Sequence, residues 1–331
     1  MIIDTHAHMA PASLLDAAKR DARAFPSVRI ESGKGGTQFA FAGGELTRPV
    51  SPGLVDMGRR VEWMQKQGID RQVAGGWLDM FGYELPADEG LAWSRLVNEH
   101  LLSAAGAAKI IAPLATVPLQ HGEHAARVLA EALDAGFAGV MIGTQPKGIG
   151  GNLDDPSLDP FWETASQRGA TVYIHPMYVC GDDRLKDYDM VNAVARLTDT
   201  TVAVTRLLFS GHFLKHAGMN VVLSHGGAAL PFGLGRLMRN HQNHPELADP
   251  VAGFGRLYFD TVLFDPAGLR FLCEKAGVEK VMLGSDYPFP IGDPEPLKVV
   301  RAAGLPEIDL TRILGTTAAR LFQIERCTCG A

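Results

Sequence analysis

The chain has 331 residues, 46% of them hydrophobic and 21% charged, with a formal net charge of -6. This is ordinary globular composition. The acidic balance offers no footprint for nucleic acid or an anionic membrane, and no apolar run approaches the ~18 residues of a membrane helix.

The chain opens directly into a strand, without the basic and apolar segments of a secretory signal. Four cysteines are too few for a disulfide framework. Cys180 and Cys273 are isolated, and Cys327 and Cys329 stand in the tail 325–331, where chains fray. This usage fits a reducing compartment, so a cytoplasmic location is expected.

Ile2 to His8 reads as an apolar strand ending in two histidines. Residues i and i+2 of a strand point to one side, so His6 and His8 reach a common point, as a transition-metal site requires. After a short helix near Leu14, residues 27–50 alternate between glycines, which predicts a small antiparallel insertion carrying Arg48. Leu54, Met57, Val61 and Met64 then share a helical face closed by Gly68. Strands are expected over 71–77, 109–117, 139–143, 170–175, 219–225, 257–261 and 280–286, with helices between them. Residues 145–157, rich in Gly, Pro and Asp, read as a loop.

Eight strands alternating with helices predict one α/β domain over 1–331, a (β/α)8 TIM barrel with its insertion after the first strand. A doubly wound sheet is the rival, weakened by the lack of a Gly-rich dinucleotide fingerprint after strand one. Barrel enzymes carry their chemistry at strand C-terminal ends. His6 and His8 end the first predicted strand, His175 the fifth, His225 the sixth and Asp286 the eighth. Imidazoles with a carboxylate suit Zn²⁺ or a similar ion. His100, His121, His124, His212, His216, His241 and His244 fall in helices or loops, where surface or capping roles are expected.

With those residues placed, the chain resembles the amidohydrolase superfamily of metal-dependent barrels, and within it the 2-amino-3-carboxymuconate 6-semialdehyde decarboxylase-like family. The matching segments include Asp4-Thr5-His6-Ala7-His8, Thr47-Arg48-Pro49-Val50, Ile174-His175-Pro176, Ser224-His225-Gly226-Gly227, Gly235-Arg236 and Met282 to Pro290. The resemblance implies that His6, His8, His175 and Asp286 bind one Zn²⁺, with Mn²⁺, Co²⁺ or Fe²⁺ as alternatives. It also implies that His225 is the base, that Asp286 helps to orient water and that Arg48 binds a substrate carboxylate. Phe289 is expected beside the substrate, and Arg236 in the neighbouring site of a homodimer. Met177-Tyr178 stand where the family commonly has Trp-Asp, so they are expected to line an altered pocket. Gly143-Thr144 end the fourth strand, where many superfamily members place a metal-bridging lysine, so one metal is expected.

The activity this implies is nonoxidative decarboxylation of a carboxylated muconate semialdehyde or aromatic acid, a small-molecule carboxylate. A hydrolase acting on a C–C bond, lactone or amide, or a hydratase of an unsaturated dicarboxylate, uses the same residues. A non-catalytic metabolite-binding barrel is the remaining alternative.

Overall fold

Residues 1–33, 35–148, 150–177 and 181–325 are described by the computed structural model of the chain. β1 (Ile3–Met9) is buried throughout and leads into α1 (Ala12–Arg20). The predicted insertion follows as an antiparallel hairpin, β2 (Val28–Gly33) and β3 (Gly36–Phe41). Trp93 anchors it, its ring centre 6.0 Å or less from those of Phe25, Phe39 and Phe41. The hairpin in turn places Arg48: Thr47 N donates to Phe39 O at 2.7 Å and Val50 N to Thr37 O at 2.8 Å.

The predicted helix after the insertion is two helices, α2 (Pro52–Val55) and α3 (Met57–Gln67). Asp56 divides them because its side chain accepts from Arg59 N at 2.9 Å and so starts α3 afresh. Gly68 closes α3 at φ 70°, as expected. The chain continues through β4 (Arg71–Gly76), α4 (Ala87–Ala108), β5 (Ile111–Ala115), α5 (Gly122–Asp134), β6 (Gly139–Gly143), α6 (Asp159–Gln167) and β7 (Thr171–His175). Then come α7 (Arg196–Phe209), α8 (His212–Lys215), β8 (Asn220–Leu223), α9 (Leu230–Asn243), α10 (Pro250–Phe254), β9 (Leu257–Asp260) and α11 (Pro266–Ala276). β10 (Val281–Met282), α12 (Pro296–Ala302), α13 (Glu307–Thr311) and α14 (Thr317–Leu321) complete it. The sequence did not announce α10, a five-residue turn capped by Asp249, whose side chain accepts from Val251 N and Ala252 N.

The eight barrel strands pair in parallel in the order β1-β4-β5-β6-β7-β8-β9-β10. The barrel closes where the chain after β10 bonds to β1: Thr5 N donates to Leu283 O, Asp286 N to His6 O and His8 N to Tyr287 O, each at 2.8 Å. The fold is therefore the expected (β/α)8 barrel with its insertion. Five strands end earlier than predicted, and for β8 and β10 this moves site residues off the strand. His225 lies in a turn after β8 at φ 54°, and Asp286 lies beyond β10 at φ 60°. Left-handed backbone at non-glycine residues leaves the ladder and re-aims the side chain. No helix among the described residues is long and apolar enough to cross a membrane.

Candidate active site

The strand ends bring the predicted polar residues together. His6 and His8 are fully buried on β1, with ring centres 5.2 Å apart. His175, the last residue of β7, stands 5.0 Å from His6 and 4.8 Å from His8 by ring centre. Asp286 joins them from beyond β10. Its Oδ1 lies 3.3 Å from His6 Nε2, 3.1 Å from His8 Nε2 and 4.0 Å from His175 Nε2. Its Oδ2 lies 3.6 Å from His225 Nε2.

An outer layer sets which nitrogen of each ring faces inward. His6 Nδ1 lies 2.6 Å from Asp260 Oδ2, His175 Nδ1 2.9 Å from Pro176 O and His8 Nδ1 3.5 Å from Gly76 O. Carbonyl and carboxylate oxygens only accept here, so those Nδ1 atoms carry a proton and the Nε2 atoms face inward. His6 Nε2 and His175 Nε2 are buried with no hydrogen-bond partner. Buried nitrogens aimed at one carboxylate oxygen fit the donor set of a divalent metal ion.

Charge supports the same reading. Burial pushes the His6 ring down, but the Asp286 and Asp260 carboxylates outweigh it and raise it to about 10. Burial lowers His8 despite its contact with Asp286, and lowers His175 further, aided by His8 and His6. Burial pushes Asp286 up, yet the charge on His6 and the close His225 and His8 rings hold it well below the carboxylate range. A divalent cation would take over the compensation that a protonated His6 gives Asp286.

By distance, two ligand sets compete. His6, His175, His225 and Asp286 each offer an atom within 4.8 Å of the others. His8, however, is nearer to Asp286 than His225 is, at 3.1 Å against 3.6 Å. The shorter contact, and the approach of His225 to the other carboxylate oxygen, favour His8 as the ligand. The end of β6 is engaged elsewhere: Tyr83 OH accepts from Gly143 N at 3.2 Å, and Thr144 Oγ1 donates to Asp199.

Above this cluster opens a cavity of about 690 Å³, whose walls include Trp77, Arg48, Arg196 and Phe289, with His225 and Asp286 in its floor. That volume suits a small-molecule ligand. Arg48 Nε is 3.2 Å from Asp79 Oδ2, and its guanidinium lies 5.9 Å from the Trp77 ring centre and 5.8 Å from that of Phe289. Phe289 also packs on His8, ring centres 5.0 Å apart. Arg48 and Phe289 both line this cavity.

Met177 does not. Gly143 has no side chain, and Met177 fills the space this leaves, with its Cβ 2.7 Å from where a Gly143 Cβ would stand. It packs against the core and does not line the cavity. Tyr178 lies outside the described residues, as do Cys327, Cys329 and nearly all of the tail. Arg236 is exposed on α9, away from the cavity of its own chain.

Two residues were missed in the sequence. Asp260 ends β9, fully buried, and accepts from His6 Nδ1, Tyr173 OH at 3.0 Å, His225 N at 3.0 Å and Gly226 N at 2.9 Å. Its place at a strand C-terminal end was the available signal. Arg196 opens α7 and is held by Asn192 Oδ1 at 3.0 Å. Burial, then Arg48 nearby, lower its pKa, but a guanidinium stays charged. The outlying histidines divide. His121 caps α5 as expected, accepting from His124 N at 3.3 Å. His212 and His216 are buried, contrary to the surface or capping expectation.

A (β/α)8 barrel with a polar, metal-fitting cluster at its strand ends defines a class of metal-dependent barrel proteins. The sequence model of the family described as amidohydrolase matches residues 3–324, and the chain belongs to that family. The 2-amino-3-carboxymuconate-6-semialdehyde decarboxylase of Dictyostelium discoideum is 28% identical over 318 residues, spanning 91% of this chain and 85% of that protein. The crystal structure of 5-carboxyvanillate decarboxylase from Sphingomonas paucimobilis is 25% identical, with a TM-score of 0.80 over 98% of this chain and 99% of that one. Dihydroxybenzoic acid decarboxylase from Polaromonas sp. JS666, solved with manganese and 2-nitroresorcinol, shares the fold at 21% identity and a TM-score of 0.77, covering 98% of this chain and 97% of that one.

Proposed function

We propose that this protein is a metal-dependent nonoxidative decarboxylase of a carboxylated muconate semialdehyde or aromatic acid. The observation that carries this is the buried convergence of His6, His8, His175 and Asp286 beneath a cavity walled by Arg48 and Arg196. His6, His8, His175 and Asp286 would hold one divalent ion; imidazole and carboxylate donors make Zn²⁺ our first choice and Mn²⁺ the second. Such an ion supplies Lewis acidity, stabilising negative charge on substrate oxygens.

The chain's own residues supply the rest. Arg48 binds the substrate carboxylate through parallel hydrogen bonds, with its plane steered by Asp79. Arg196 accepts a second acidic group. Trp77 and Phe289 pack the planar body of the substrate and exclude water. Decarboxylation breaks one C–C bond and returns a proton to the carbon that loses CO₂. His225 Nε2, 3.6 Å from Asp286 Oδ2 and open to the cavity, holds and moves that proton.

We infer that Arg236 reaches the neighbouring site of a homodimer. It lies one helical turn from the exposed Phe232 on α9, so the two share a face suited to a second copy. We place the enzyme in the cytoplasm, from its few cysteines.

The test is to load the purified protein with Zn²⁺ or Mn²⁺ and offer ring-cleavage products and hydroxybenzoates, following CO₂. Release of CO₂ supports the decarboxylase. Incorporation of ¹⁸O from water into an acid or alcohol without CO₂ assigns the hydrolase or hydratase instead.

A further inference from the structure

Away from the barrel mouth, a second group of metal-type side chains lies in the outer helical layer. His212 and His216 stand four residues apart along α8 and its end, a spacing that puts both rings on one helix face. Their ring centres are 5.8 Å apart. Asp159, the first residue of α6, completes the group. One donor atom from each of the three lies within 4.8 Å of the others. None of them lines the barrel cavity.

Burial makes this more than a coincidence of residue types. His212 is 8% exposed and His216 3% exposed, and Nε2 of each is buried with no hydrogen-bond partner. Two such nitrogens on neighbouring rings require an explanation. The orientation of His212 is set from behind. Its Nδ1 lies 2.6 Å from Ser210 Oγ, which itself donates to Leu207 O at 3.3 Å. When Ser210 gives its hydrogen to that carbonyl, it accepts from His212 Nδ1. The lone pair of His212 is thereby left on Nε2. Trp162 packs edge-on against the same ring, at 6.1 Å between centres, and limits its rotation.

We propose that His212, His216 and Asp159 form a second metal site for a borderline divalent ion such as Zn²⁺, Co²⁺ or Ni²⁺. Donors around a tetrahedral ion with bonds of about 2.0–2.1 Å stand about 3.4 Å apart. The three atoms close to that spacing by moving less than about 1 Å each, and water takes the fourth position. Asp159, with 37% of its side chain exposed, provides the route from solvent. The competing contact is Lys215 Nζ, 3.2 Å from Asp159 Oδ2; with 54% of its side chain exposed, the lysine swings into water when an ion arrives.

The test counts ions in the full-length protein. Wild type, His216→Gln and Asp159→Asn are stripped with chelator, reloaded with Zn²⁺, dialysed and measured for zinc per chain and by thermal melting. Wild type is expected to hold one ion more than either variant, whatever the barrel holds. Its extra ion should yield to chelator in one step, with an affinity that each substitution lowers beyond the roughly 10–100-fold cost of losing an outer partner. Co²⁺ in that position should give the intense visible bands of a tetrahedral site, absent from both variants. Asp159→Asn alters a partly exposed residue, so it reports even if the buried histidine variant folds poorly. Equal zinc content in all three proteins overturns the site, and so does an extra ion that persists in both variants, as Cys327 and Cys329 binding would give.

Discussion

The His6 imidazole and the Asp260 carboxylate meet 2.6 Å apart, both wholly buried, from β1 and β9. This pair fixes the ring that sits at the centre of the cluster. Asp260→Asn keeps the shape of the side chain but removes its charge. Metal affinity is expected to fall about 10–100-fold, with activity falling alongside. Chelator competition on the purified variant reads the change; unaltered affinity would mean that His6 is oriented without Asp260.

Metal binding should be coupled to proton release. His6 is raised to about 10, so it is protonated at pH 7 in the metal-free protein. His8 and His175 are lowered below their ordinary value, so they are already neutral. A ligand nitrogen must give up its proton, hence His6 releases at least one on binding. Raising the pH from 7 toward 9 therefore strengthens binding by about a decade per unit. Calorimetry in buffers of differing ionisation enthalpy counts the protons, and a count of zero contradicts the assignment.

His225 should separate metal binding from turnover. In His225→Asn the four proposed ligands are intact, so metal content stays near wild type. Turnover is expected to drop by about 10²–10⁴-fold, the usual contribution of a positioned acid or base. Loss of the metal in this variant would instead make His225 a ligand, the alternative that distance alone permits.

The two arginines of the cavity should differ from the metal cluster in kinetic signature. Removing one hydrogen-bonded charge pair costs about 1.5–3 kcal/mol, roughly 10–150-fold in kcat/KM. Arg48→Ala and Arg196→Ala are each expected to show a loss in that range, mostly in KM, with metal retained. If Arg196→Ala has wild-type kinetics on every carboxylated substrate turned over, Arg196 serves the wall of the cavity and not the ligand.

Gly284 tests the close packing beneath the site. A Cβ there would stand 2.9 Å from Asp260 Cβ and 3.0 Å from His6 Cβ. Gly284→Ala therefore pushes directly on the His6–Asp260 pair. Overpacking of this kind costs about 1–3 kcal/mol. A lower melting temperature with reduced metal content is expected; a variant as stable and as metal-rich as wild type would show that the segment after β10 yields without disturbing the pair.

What the sequence by itself determined was the local part. Apolar runs of strand length, helical periodicity and glycine stops are properties of neighbouring residues, and they sufficed for the barrel, the hairpin and the polar residues at strand ends. His6 with His8, His175 and Asp286 stood out because they close three separate apolar runs. What only the tertiary structure decided was who meets whom. Asp260 looked like one more strand residue until β9 brought it against His6. Arg196 joined Arg48 only when α7 opened beside the cavity. Met177 turned inward because Gly143, a strand away, left room for it. His212 and His216 read as surface or capping residues, and burial left their Nε2 atoms without partners. Burial, and the pairing it forces on polar atoms, depends on contacts between distant parts of the chain, which no local pattern encodes.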